Sequence, residues 1–181
     1  MKKYHQPECS CAPTRLKLTK LGYLGHYAFV FFVLFPFLLS IFSYIKFLNG
    51  NYDGLRPIRE MFDGTSIFVG IAFILFLLQY KRLRFKIYSI SISEEKVIEI
   101  CHKIAEVNEW KIKQSTKNVF VASTEVPFDF IGEVITVIVH HQKVYINCIC
   151  DPYKRPNITS FGYNRKYKQE IIRQINNATM E

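Results

Sequence analysis

The residues with the clearest chemical potential in this chain are basic. Lys81, Arg82, Arg84 and Lys86 fall within six consecutive positions. Such a run attracts phosphate-bearing anions, and beside a bilayer each basic residue is worth roughly 1 kcal/mol toward anionic lipid. Its plainer use is to set the direction in which a membrane segment inserts. A second basic group, Arg155, Arg165, Lys166 and Lys168, lies on the approach to a C-terminal helix. The free N–H groups and the dipole at a helix start favour anions there. A loop held by Asp151 and capped by Asn164, with a solvated basic face, accounts for the same residues without a ligand.

Sulfur and imidazole offer less. The five cysteines are Cys9, Cys11, Cys101, Cys148 and Cys150, an odd number over three segments and no disulfide framework. Cys148 and Cys150 sit two apart on an expected strand, so both point to one face with Val144 and Ile146. Buried thiols in such a row behave as small hydrophobes. A metal reading would recruit His102, His140 or His141, but structural zinc favours paired cysteines on a turn. Cys9 and Cys11 supply half a tetrahedral site at most. We therefore expect no metal and no cofactor. No Gly-x-Ser-x-Gly, His-Glu-x-x-His or glycine-rich phosphate loop occurs, so no residue is assigned as catalytic.

The elements that carry these residues divide sharply by polarity. Residues 27–45 hold no charge, and Tyr23, Tyr27 and Tyr44 flank them. About 20 apolar residues match the roughly 30 Å hydrocarbon core of a bilayer, and aromatic residues favour its interfaces. Pro36 is tolerated in such a helix. Residues 66–80 are again uncharged, and a start near Asp63 or Gly64 gives a second span. The expected division is a polar basic tail over 1–24, a transmembrane helix over 25–48, a loop over 49–63, a second transmembrane helix over 64–81 and a domain over 82–181.

Lys and Arg number five in the tail, four in the run after the second span and three in the loop taken with Lys46. The positive-inside rule then puts both termini in the cytoplasm and the loop outside. The formal net charge of +9 is read as topology and attraction to anionic lipid, not as nucleic-acid binding.

The domain reads as α+β. Tyr88, Ile90 and Ile92 alternate with serines as a half-buried strand. Ser93 caps a helix with Glu94 and Glu95 in its first turn and Val97, Ile98, Cys101, Ile104 and Ala105 on one face. Strands over 110–115 and 119–124 form one hairpin, and strands over 133–140 and 144–150 form another. A last helix places Tyr167, Ile171 and Ile175 on one face. The order β-α-β-β-β-β-α suits an antiparallel sheet covered by two helices. Its first strand begins a few residues after the second span, so the domain must sit against the membrane.

The stretch Cys150-Asp151-Pro152, running to Arg155-Pro156 and then Gly162, Asn164 and Lys166, resembles a group of small uncharacterised bacterial membrane-anchored α+β proteins. The likeness covers roughly residues 110–175 and implies architecture, not chemistry. The expected function is a non-catalytic binding or adaptor domain at the cytoplasmic membrane surface. Its partners would be membrane lipids or another membrane protein. The basic residues Lys81, Arg82, Arg84, Lys86, Arg155, Arg165 and Lys166 would form the anion- or lipid-binding set. The alternative is a membrane-surface enzyme using His140, His141, Asp151 and Arg155.

Overall fold

A computed structural model describes residues 13–124, 132–154 and 162–180. Two long helices come first, α1 (Lys20–Leu48) and α2 (Ile58–Arg82). At 1.5 Å per residue they are about 44 and 38 Å long. Both are long and apolar enough to cross a membrane. Their apolar side chains face outward: Phe32 is 72% exposed, and Ile67, Phe73 and Ile74 are nearly as open.

α1 begins at Lys20, five residues before the expected start. Thr19 supplies the reason: its side chain accepts the Gly22 N–H as an N-cap. α2 begins at Ile58, directly after Pro57, whose fixed φ suits a helix entrance. The connection between the helices is correspondingly shorter than the charge pattern suggested. Two turns or so from the connection between the helices, Ser40 Oγ lies 2.9 Å from Thr65 Oγ1. Each hydroxyl also reaches a carbonyl one turn back on its own helix, Pro36 at 3.3 Å and Met61 at 2.7 Å. The two hydroxyls thus link the helices without leaving a polar group bare.

The remainder is the expected α+β unit. Five antiparallel strands, β1 (Lys86–Ser89), β2 (Lys111–Ser115), β3 (Val119–Ser123), β4 (Glu133–His140) and β5 (Lys143–Cys150), lie in the order β1-β5-β4-β3-β2. α3 (Glu94–Val107) and α4 (Tyr163–Met180) cover one face. Ser93 caps α3 as expected, accepting the Lys96 N–H. The core beneath the helices joins Val97, Cys101 and Ile104 to Phe120, Ile135, Val137, Ile146 and Cys148, with Ile171 and Ile175 from α4. Trp110 closes one end, edge-on to Tyr167 at 5.2 Å. The β4–β5 turn places His141 and Gln142 at φ 47° and 55°, the left-handed pair of a two-residue hairpin turn.

A second, smaller core lies on the opposite face. Leu16, Leu83 and Phe85 pack there with Tyr145 and Ile149, and Leu18 and Ile138 adjoin them. Residues before α1 therefore belong to the domain's packing, although the sequence suggested an irregular tail.

Candidate functional site

The chemistry-bearing residues collect where the foot of the helical hairpin meets the sheet. Just before α1 and just after α2 the chain forms a short antiparallel ribbon. The Leu16 N–H donates to the Leu83 carbonyl at 2.8 Å, and the Phe85 N–H donates to the Thr14 carbonyl at 3.3 Å. Between these bonds Arg15 stands opposite Arg84. Alternation turns Leu16, Leu83 and Phe85 into the small core, while Lys17, Arg84 and Lys86 remain exposed. The Arg15 guanidinium lies 3.6 Å from the centre of the Tyr80 ring, a cation–π contact from the last turn of α2.

The sheet grips both helices. Asn147, wholly buried on β5, donates through its side-chain amide to the carbonyls of Arg82 at 2.8 Å and Arg84 at 3.0 Å. These lie at the C-terminus of α2, where helical carbonyls lack intrahelical partners. On α1, Gly22 and Gly25 lie one turn apart against Tyr153 and Pro152, and a Cβ at Gly25 would collide with the Pro152 carbonyl oxygen. Tyr153 Oη shares a 2.7 Å hydrogen bond with Thr19. The Tyr153 N–H donates to Asp151 Oδ1 at 2.9 Å, so Asp151 shapes this turn. Between the helices, His26 Nε2 donates to the Gln79 carbonyl at 3.1 Å.

A buried ionisable cluster lies on the helix-covered face. Glu133 opens β4, is 1% exposed, and accepts the Cys148 thiol proton at 3.2 Å. Its carboxylate also receives the Asn164 backbone N–H, while Lys168 and Arg82 lie near enough to favour its ionised form. Burial outweighs these and raises its pKa to about 7. Burial, and then the adjacent Glu133, push the Cys148 thiol well above its ordinary value. Cys150 rises to about 11, again chiefly through burial. Burial lowers the pKa of Lys168. These thiols stay protonated, which removes them as nucleophiles at neutral pH. Cys101 is a core residue whose thiol burial raises to about 12.

The basic residues singled out from sequence separate into groups. Lys81, Arg84 and Lys86 are exposed along the ribbon and the turn that leads to it. Arg82 is half-buried and acts on Glu133 and Lys168. Arg165 and Lys166 are exposed in the first turn of α4, and both N–H groups donate to the Gly162 carbonyl. Asn164 lies within that helix, one residue past its start, and not at the capping position expected for it. Arg155 lies outside the described residues, as do Cys9 and Cys11. Arg15 and Lys17, which the sequence shows only as part of a basic tail, join the basic set.

The enzyme grouping comes apart. His140 and His141 stand at the β4–β5 turn, whereas Asp151 follows the far end of β5. Eight residues of strand separate them, about 25 Å. His102 is spent on Ser115 Oγ at 2.8 Å and on the edge of Phe120. Among the described residues no three His, Cys, Asp or Glu side chains gather as metal ligands. No protein-family model, curated protein or solved structure matches the chain.

Proposed function

We propose that the chain is an integral membrane protein whose hairpin crosses the bilayer and holds the α+β unit against the cytoplasmic face. There the unit serves as a non-catalytic binding module for anionic lipid or for another membrane protein. The observation that carries this reading is the pairing of residues 14–16 with residues 83–85 at the foot of the hairpin. It keeps both ends of the hairpin on one side, which requires an even number of crossings. The apolar outer surface of α1 and α2 suits lipid as solvent. The basic residues of the ribbon suit the cytoplasmic leaflet. No linker intervenes, so the domain presents its junction to headgroups.

Two measurements on the full chain test this. It should remain in the membrane pellet at alkaline pH in carbonate. Leu55→Cys, in the α1–α2 connection, should react with an impermeant thiol reagent in intact cells above the wild-type background. Val107→Cys, on α3, should react only after permeabilisation. Extraction by carbonate, or labelling of Val107→Cys in intact cells, would remove the reading.

A further inference from the structure

We propose that the ribbon is a specific site for the phosphate of an anionic glycerophospholipid headgroup, with Arg15 and Arg84 as its paired ligands. This rests on the membrane reading above and adds a ligand and a geometry to it.

The register brings the two arginines together. The hydrogen bonds from Leu16 to Leu83 and from Phe85 to Thr14 flank the Arg15–Arg84 pair without joining it. It is thus the non-hydrogen-bonded type of antiparallel pair, in which Cα atoms approach to about 4.5 Å and side chains are closest. Like charges directly opposite each other destabilise a ribbon. Among the described residues, no carboxylate lies within ion-pair distance of either guanidinium. Two arginines set opposite each other on the ribbon are suited to share one anion.

The pair is also pre-organised. The Tyr80 ring fixes the Arg15 guanidinium, and the buried Leu16, Leu83 and Phe85 fix the backbone beneath both arginines. Guanidinium forks match phosphate oxygens in bidentate fashion, which an ammonium cannot do. Lys17 and Lys86 extend the same charge along the exposed edge. The location of the pair suits a lipid. Tyr80 belongs to the last turn of the apolar helix α2, so an anion between the arginines sits where a headgroup meets the acyl region. A phospholipid satisfies the charge and the apolar wall together.

The test uses the purified full chain in nanodiscs of phosphatidylcholine containing a minor fraction of phosphatidylglycerol, with bound lipid measured by native mass spectrometry after gentle detergent release. At roughly 1 kcal/mol per basic residue, Arg15→Gln with Arg84→Gln should weaken phosphatidylglycerol retention about thirtyfold. Lys113→Gln with Lys143→Gln, a charge-matched change away from the ribbon, should leave retention unchanged. Arg15→Lys with Arg84→Lys keeps the charge, protects folding, and should fall between the two. Wild-type retention in the arginine-to-glutamine pair, or equal losses in both glutamine pairs, would overturn the proposal. Displacement of the lipid by millimolar inorganic phosphate would overturn the lipid as the source of the phosphate. Carbonate resistance separates the two readings. If the arginine-to-glutamine protein stays in the membrane yet retains lipid like wild type, the site fails and the anchor stands. If wild type is extracted, both fail.

Discussion

The side-chain amide of Asn147 donates to the Arg82 carbonyl at 2.8 Å, so a residue in the middle of the sheet caps the end of a helix of the hairpin. The same amide reaches Arg84 at 3.0 Å. Asn147→Ala should deprive two partly buried carbonyls of their side-chain donor and cost about 1–3 kcal/mol. Asn147→Asp should cost more, because a carboxylate oxygen would face those carbonyls. Chemical unfolding of the detergent-solubilised chain, followed by tryptophan fluorescence of Trp110, measures both. Equal stability of the two variants would contradict the capping role.

Gly25 and Gly70 make an internally controlled pair. A methyl group at Gly25 meets the Pro152 carbonyl oxygen, whereas one at Gly70 meets nothing within 4 Å. Glycine-to-alanine exchange in a helix interior ordinarily stabilises by up to about 1 kcal/mol. Gly70→Ala should therefore be neutral or stabilising in the same unfolding assay. Gly25→Ala should be destabilising and should raise protease cleavage in the Asp151–Lys154 turn, because the turn must lift off α1.

Glu133 gives the chain a pH dependence of defined sign. Its pKa is raised from an ordinary 4.5 to about 7, so the fold favours the protonated form. Below about pH 4.5 the folded and unfolded chains both carry the proton, and the group costs nothing. Stability falls as pH rises toward 7 and is level above it, where both states are ionised. Glu133→Gln keeps an acceptor for the Cys148 thiol and the Asn164 N–H but cannot ionise. It should match wild type near pH 4.5 and exceed it at pH 8 by about 3 kcal/mol. Parallel unfolding curves at the two pH values are the measurement. A constant difference between the proteins would show that ionisation is not the cause.

Much of this architecture was legible in the residues. Two uncharged stretches announced α1 and α2, and helical spacing announced the buried face of α3 down to Val97, Cys101 and Ala105. Strand alternation and turn residues gave both hairpins within a residue or two. What escaped notice was non-local. The alternation Arg15-Leu16-Lys17-Leu18 is a strand signal only four residues long, and its partner lies beyond both long helices. Asn147 is one amide in an apolar strand, and nothing local says which carbonyls it meets. The anion expected at the start of α4 turned out to include the protein's own Glu133 carboxylate, contributed from β4. Burial of that residue depends on where α4 lands, and no short window of sequence carries that information.

The ribbon also orders events during synthesis. Thr14 and Leu16 leave the ribosome first, yet the strand they pair with is made only after the entire hairpin. Until then Leu16 has no core to enter. A nascent chain in which α1 and α2 had not come together would hold Leu16 apart from Leu83 and Phe85, and the small core they share would not form. If the hairpin crosses a bilayer as proposed, closure of this one bridge marks the point at which both helices are in place.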